Sequence, residues 1–382
     1  MALSILAAPS GNCVFTPEYF TVQESSGGIY ADTNFKFIAV LKDGSGTELG
    51  RFRFPIYPGQ TNKGVVCVHR ILEAEVSNFF NLTTSVTSST APVAAYEVEF
   101  GKEYGTPVAE YLNEINSERV VVNAACENTT DVSGEFLIGV TQRTIHENEY
   151  SFLYFNNTTV VNLGTNEIQF KSYSASGTLL STKLVSLTHA AYSQFKFGVG
   201  VINTAATGSP PTIHADATYY TVQYLLDSVA VNTLIRYDIV DRCSPYDGYT
   251  LCWLNDRGGF DSWYFNMKRK DEYQIERRGV KTNTYEFNGN IFERNDNKHS
   301  RKNFYTSVIH KVTLNTDNLS TADSTFLKGL FTSPGVYLLD GSDYYPVIVQ
   351  PDTYEIKKNI NEGVFSAKVD IEYSEPENVQ RL

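Results

Sequence analysis

LIRYDIVDRCSPYDGYTLCWLNDRGGFDSWYFNMKRKDEYQIERRGV, residues 234–280, holds both tryptophans, Trp253 and Trp263, and the closest pair of cysteines, Cys243 and Cys252. It also carries the densest run of aromatic side chains in the chain. The pattern predicts three strands, Leu234 to Val240, Tyr249 to Asn255 and Phe260 to Met267. The last two are separated by Asp256-Arg257-Gly258-Gly259, where glycine supplies the positive φ that a tight antiparallel reversal needs. On the resulting hairpin Tyr249, Leu251 and Trp253 alternate with Thr250, Cys252 and Leu254, while Phe260, Ser262 and Tyr264 alternate with Asp261, Trp263 and Phe265. Large apolar groups thus fall on both faces, and a strand apolar on both faces is covered on both. The expectation is a hairpin at the centre of a sandwich, or one held between a sheet and a neighbouring subunit.

Outward from this stretch the same style continues. Phe35 to Leu41 and Glu48 to Phe54 flank Asp43-Gly44-Ser45-Gly46, a hairpin signal. Ala95 to Phe100 alternates strictly, and strands are expected at Glu135 to Val140, Ser151 to Phe155, Ile168 to Tyr173, Leu179 to Leu187, Gln194 to Ile202 and Tyr219 to Leu226. Turns are expected at Ala175-Ser176-Gly177 and in the loop Gly208-Ser209-Pro210-Pro211. Between Val68 and Phe80 the apolar spacing changes to three and four residues, which predicts a short amphipathic helix, and Thr321 to Phe331 reads as another with Ser320 or Thr321 as its cap. Beyond the hairpin come Tyr273 to Arg277, Thr284 to Asn288, Thr306 to Leu314 and the alternating run Phe365 to Tyr373, expected on the sheet that begins at 234. Short strands with turn residues between them mark sandwiches rather than βαβ units. The fold class read here is mainly β: multi-domain antiparallel β-sandwiches with one or two short helices. Its expected domains are residues 1–115, 116–240 and 241–382.

Composition narrows the function. A chain of 382 residues with 13% aromatic and 19% charged side chains has ample material for several cores and extensive interfaces. A net charge of −12 argues against a sequence-specific nucleic-acid binder, which recruits Lys and Arg to phosphate. Residues 268–302 depart from that balance with ten Lys or Arg against six Asp or Glu, which reads as a solvated strand-and-loop face or an acid-seeking subunit contact ahead of a nucleic-acid patch. Five cysteines (13, 67, 126, 243, 252) without CxxC spacing indicate neither a zinc knuckle nor a disulfide framework, so reduced thiols are expected. The start, MALSILAAPSGN, lacks a basic region and a long apolar run, so no secretory signal and no membrane span are expected. Synthesis and folding in a cytoplasm follow, and sequons such as Asn81-Leu82-Thr83 carry little weight.

No catalytic spacing is present: the six histidines (69, 146, 189, 214, 299, 310) are scattered, and GxSxG, P-loop and GxGxxG patterns are missing. Asp247, Asp256 and Asp261 could gather a calcium ion, although Asp in turns is explained more cheaply by side-chain to backbone bonds. Trp253 and Trp263 could form a platform for sugar rings, set against packing or interface anchoring. Candidate interface or packing anchors are Trp253, Phe260, Trp263, Phe265, Lys268, Arg269, Lys270, Arg277 and Arg278. No catalytic residue, metal ligand or cofactor is assigned.

Trp253-Leu254-Asn255-Asp256-Arg257-Gly258-Gly259-Phe260-Asp261, followed by Trp263 and Phe265, preceded by Arg242-Cys243 and followed by Tyr273 and Ile275-Glu276-Arg277, resembles structural proteins of tailed bacteriophages that infect Bacteroidetes, including crAss-like phages. Weaker similarity lies at Phe54-Pro55, Ala95 to Gly101, Val122-Asn123-Ala124, Phe152 to Asn156 and Tyr345 to Tyr373. Arg257 departs from the pattern, which favours a smaller or aliphatic residue there. The resemblance implies a non-enzymatic building block of the virion neck, tail or baseplate, with copies of itself in a ring and other phage proteins as partners. It implies a virion location, no membrane, and at most non-specific proximity to packaged or translocating DNA. The other readings of the residues are a glycan-binding adhesin or tail-spike module and, last, a glycoside hydrolase whose paired carboxylates meet only in space.

Overall fold

The computed structural model describes the chain except residues 1–2, 17–18, 84, 126–133, 159–164, 188–189, 205–211, 241–245, 318, 342, 351–365, 376–379 and 382. The expected loop at 208–211 and the start of the run at Phe365 lie outside the described residues. The chain is mainly β, with antiparallel sheets and two short helices. It divides into two compact units: Met1–Arg242 with Trp253–Trp263, and Cys243–Cys252 with Tyr264–Leu382.

The first unit opens with β1 (Leu3–Ala7), β2 (Phe20–Glu24), β3 (Lys36–Asp43), β4 (Glu48–Phe54) and β5 (Lys63–Val66). Helix α1 (His69–Glu75) is followed by β6 (Thr87–Ser89), β7 (Val93–Tyr104) and β8 (Ala109–Val122). The boundary expected at residue 115 therefore runs through β8. Two sheets, ordered β1-β2-β5 and β4-β3-β7-β8, enclose a core that includes Phe20, Phe37, Leu41, Phe54, Val98 and Phe100. Ring contacts at 5.5 Å join Phe20 to Phe100 and Phe37 to Phe54. The β3–β4 turn forms where predicted, with the Asp43 carboxylate accepting from the amides of Ser45 (2.9 Å) and Thr47 (2.8 Å). Helix α1 is shorter than its periodicity suggests. No side chain caps it at Val68, and Val76 turns extended as the Ser77 amide donates to Ala91 O at 2.8 Å.

Then follow β9 (Gln142–His146), β10 (Phe152–Asn157), β11 (Asn166–Tyr173), β12 (Leu179–Ser186) and β13 (Ser193–Gly198). The last of this series are β14 (Tyr219–Leu226), β15 (Val229–Ala230) and β16 (Ile235–Val240). They build a sheet ordered β10-β13-β6 and another ordered β12-β11-β14-β16-β9. The two meet through aromatic groups: Phe155 lies 4.7 Å from Tyr224, and the Tyr220 hydroxyl donates to Val199 O at 2.6 Å. Two sequence expectations fail here. Residues 135–140 form no strand, only an isolated bridge between Phe136 and Phe155. Strand β16 pairs with β14 and, in parallel, with β9, so the 234–240 segment belongs to a different sheet from the one that takes the C-terminal strand.

The division between the units passes through β17 (Tyr249–Leu254) and β18 (Phe260–Phe265), which form the predicted hairpin. The second unit continues with β19 (Lys270–Lys281), β20 (Tyr285–Asn288), β21 (Ile291–Arg294) and β22 (Arg301–Asn315). Helix α2 (Thr321–Thr332) comes next, then β23 (Val336–Asp340), β24 (Asp343–Gln350), β25 (Lys368–Tyr373) and β26 (Gln380–Arg381). The order is β17-β23-β24-β25-β22-β19, with β26 beside β22. Ser320 closes the start of α2 with a reciprocal capping box to Asp323, as its position before the helix predicted. Strand β25 alternates with its Val369 and Ile371 side chains buried, and it pairs with β22 and β24.

Candidate functional site

The hairpin turn is built by one side chain. Asn255 Oδ1 accepts from the amides of Arg257 (3.0 Å) and Gly259 (3.1 Å), and its Nδ2 donates to Leu137 O (2.8 Å) and Asp261 Oδ1 (3.0 Å). Gly258 takes φ +85°, and a Cβ there would stand 2.1 Å from Asn123 O. Only glycine allows both the conformation and the close approach. Phe260 packs 4.7 Å from the Phe80 ring and 5.8 Å from Tyr154.

Beneath the turn sits a buried polar cluster that sequence reasoning did not find. Arg143 and Glu149 pair with almost no exposure, and Ser262 Oγ donates to Glu149 Oε1 at 3.0 Å. The Arg143 guanidinium stands 5.9 Å from the Trp263 ring and 6.0 Å from Tyr237. Burial pushes the Glu149 carboxyl up, against the pull of Arg143. Burial likewise pushes Asp261 up to about 7, against Asn255 and Arg143. Two more charges are folded inside the unit: Lys102 bonds Glu24 (2.7 Å) and Glu114 (3.1 Å), and Lys196 bonds Asn81 Oδ1 (2.7 Å) and Thr83 O (3.1 Å). Buried ions persist when paired or hydrogen-bonded: Arg143 and Lys102 meet carboxylates, and Lys196 is held by neutral oxygens of Asn81 and Thr83. Local sequence gives little signal for them: Arg143 and Glu149 are six residues apart, but Ser262, Glu24 and Asn81 reach their partners from far along the chain.

These positions choose between the two readings of the aromatic anchors, interface and packing. Trp253 is 0% exposed and Trp263 9%, with Phe260 and Phe265 equally enclosed. The two-faced hairpin is thus covered within one chain, and all four residues are packing anchors. A sugar ring cannot stack on indoles that solvent does not reach. Among the described residues, no group of three or more His, Cys, Asp or Glu side chains is placed to hold a metal ion. Asp261, one of the three aspartates considered for calcium, is instead buried and bonded to Asn255. The expectation of reduced thiols fails at Cys13, which is disulfide-bonded, while Cys67 and Cys252 are not.

The basic candidates lie on a different feature, a long two-stranded arm in the second unit. Strands β19 and β22 pair antiparallel from Lys270↔Thr313 to Lys281↔Arg301, and the β20–β21 hairpin follows at the far end. The root of the arm is fixed by Arg269, which lies 4.4 Å over the Tyr249 ring and bonds Asp271 through Nε and Nη2. His310 bonds Asp271 at 2.8 Å and stacks between Tyr273 and Tyr373 at 4.5 and 4.7 Å. Burial works to raise Asp271, yet Arg269 and His310 hold it below the usual carboxylate range. Lys270 pairs with Glu272, and Arg278 pairs with Glu276 at 3.0 Å while lying over Tyr305. Lys268 and Arg277 are exposed, and no ion pair joins either to a carboxylate among the described residues.

Past the root the arm has little cover. At its tip Phe287 is 73% exposed, Ile291 66%, Phe292 55% and Tyr285 51%. Phe292 touches Phe287 at 5.0 Å and Tyr285 at 5.7 Å, so these three rings form one apolar patch. Sequence reasoning placed the basic charges but missed this patch. Tyr285 and Phe287 alternate as in any half-buried strand, and only the missing second layer makes them exposed.

Comparison with protein-family models gives no match, and neither does comparison with curated proteins. Among solved structures the chain is similar to the calcium-binding domain CBD12 of CALX1.1, at 9% identity and a TM-score of 0.20 over 63% of this chain and 100% of that one. CBD12 from CALX1.2 gives 10% identity and a TM-score of 0.21 over the same shares. Trypsin-activated alpha-2-macroglobulin from Escherichia coli gives 7% identity and a TM-score of 0.22, over 96% of this chain and 21% of that one. Likenesses of this size carry no argument about fold or function. No helix among the described residues is long and apolar enough to cross a membrane.

Proposed function

We propose that this chain is a non-enzymatic assembly subunit that builds an oligomeric ring, in the neck, tail or baseplate of a tailed phage. The observation that carries the reading is the arm: an exposed β-ribbon rich in Lys and Arg and ending in a cluster of exposed aromatic and aliphatic side chains. Contiguous exposed apolar surface rimmed by charge marks a docking site. The phage assignment is supported by the resemblance of residues 253–265 and their flanks to virion proteins. The glycan-binding alternative loses its main support, because both tryptophans it would use are packed inside the chain.

Light scattering of the purified full chain and mass spectrometry of purified particles test this together. The reading expects a discrete oligomer and a particle-bound protein. It further expects a Phe287→Ser, Phe292→Ser variant to keep its melting midpoint and lose association. A monomer that is absent from particles removes it.

A further inference from the structure

The ladder of the arm places Lys281 directly opposite Arg301. Both are exposed, and no ion pair joins either to a carboxylate among the described residues. Like charges directly opposite on a sheet are destabilising. In the first unit, the β7–β8 ladder places Glu97 directly opposite Glu118, and again no ion pair joins either among the described residues. Glu97 accepts from Asn116 Nδ2 at 2.5 Å, and Lys42, directly opposite Glu97 on β3, pairs with Glu99 while also feeling the charge of Glu97. The other cation of this sheet face near it, Arg51, is held by Glu48 (3.0 Å) and Glu110 (3.2 Å). The chain therefore carries two cross-strand pairs of opposite sign: the basic pair has no ion-pair partner among the described residues, and the acidic pair has only Lys42, which lies opposite Glu97 and is shared with Glu99 and Glu48.

Each pair also includes an edge strand. β19 lies at the end of its sheet, beyond β22, and β8 lies at the end of its own, beyond β7. Asn12 and Val14 bond the end of β8 at Val122, whereas Ala109 to Ser117 has no further strand beside it among the described residues. Long bare edges invite pairing with another chain. Apolar side chains are exposed on the same strands: Phe304 on β22, Val280 on β19 on the face opposite to the basic pair, and Tyr111 and Leu112 along β8.

We infer that the Lys281/Arg301 pair of one copy docks on the Glu97/Glu118 pair of a second copy of this chain. The partner follows from charge complementarity. The basic segment 268–302 stands out in a chain of net charge −12, so the surface it complements is that of the same protein. The inference rests on the proposed function and names its contact. Two different patches meet, so the contact is heterologous and propagates from copy to copy, closing into a ring when the rotation allows. The charges set register and encounter rate, and the rest of the contact must come from the bare strand edges, because exposed ion pairs alone contribute little.

The test is a charge swap read by light scattering. Lys281→Glu with Arg301→Glu, and separately Glu97→Lys with Glu118→Lys, are each expected to leave the chain monomeric. An equimolar mixture of the two variants is expected to assemble again, because each acidic arm then meets a basic receptor and the reverse. Assembly of the wild type is expected to weaken with added salt. If the wild type assembles and either variant assembles equally well, this contact is overturned while the assembly function stands. A mixture that stays monomeric although both variants melt like the wild type overturns it as well, as does an arm variant that loses binding to duplex DNA and keeps self-association. Should a variant melt early, copies carrying Glu118→Cys mixed with copies carrying Lys281→Cys decide the matter. A crosslinked pair of the two supports the contact, and its absence under mild oxidation overturns it. A monomeric wild type sinks both this contact and the function it rests on.

Discussion

Asn255 donates from its side-chain amide to the carboxyl of Asp261 at 3.0 Å, and both residues are buried where the tryptophan hairpin reverses. The bond ties the turn to the strand that leaves it. It also leaves an acid in a place where its charged form is poorly solvated, which makes the hairpin sensitive to pH.

Burial raises Asp261 from 3.8 to about 7. The folded state therefore holds a proton that the unfolded chain gives up, and the associated stability is fully present below about pH 4 and lost as pH rises through about 7. Asp261→Asn keeps an acceptor for Asn255 and removes the titration. Urea unfolding across this window should show wild-type stability falling relative to the variant by a few kcal/mol, since each tenfold difference in proton affinity between the folded and unfolded chain is worth ~1.4 kcal/mol. Parallel pH profiles for the two proteins would show that Asp261 is not held protonated.

Gly258 and Gly289 both take positive φ, but only Gly258 faces a backbone oxygen at 2.1 Å from where a Cβ would stand, whereas Gly289 has open space. Gly258→Ala should cost ~2 kcal/mol or more, combining strain with a clash against Asn123. Gly289→Ala, at the arm tip, should cost about 1 kcal/mol or less and act locally. Equal losses in thermal midpoint would contradict the central place given to the hairpin turn.

Trp253 is fully buried, so Trp253→Ala should lower stability by about 3–5 kcal/mol through the cavity it leaves. Chemical denaturation reads the loss directly. A variant as stable as the wild type would reopen an exposed, ligand-binding role for this indole.

The Lys281–Arg301 juxtaposition has a local consequence that does not depend on association. Arg301→Glu turns a repulsive cross-strand pair into an attractive one, a gain of about 0.2–1 kcal/mol for that part of the ribbon. Measured at high dilution, the Thr282 amide, which donates to Ser300 O at 3.0 Å, should exchange its hydrogen more slowly in the variant. Unchanged or faster exchange would mean that the two cations do not face each other.

Much of this architecture can be read one segment at a time. The Asp43–Gly46 turn, the Asn255–Gly259 reversal, the alternation of Val369 and Ile371 with polar neighbours and the Ser320 cap are local signals, and each forms where its residues predict. The α1 helix overran because its apolar spacing continues past Val76, where the chain leaves to bond Ala91. The segment 135–140 failed as a strand although its composition is suitable. Its Leu137 carbonyl serves the Asn255 side chain, and its one bridge, to Phe155, does not extend.

The order of residues by itself determined that this protein is β-rich, where its chain reverses, and that its positive charge gathers at 268–302. Tertiary structure alone decided which strands pair, that Trp253 and Trp263 lie under cover while Phe287 and Phe292 do not, and that Lys281 faces Arg301 as Glu97 faces Glu118. The reason is the period of two along a strand: it fixes which side chains share a face, but it leaves open the partner, the register and whether a second layer lies above. Those are settled by contacts between residues far apart in the chain, such as Ser262 with Glu149, which no local pattern encodes.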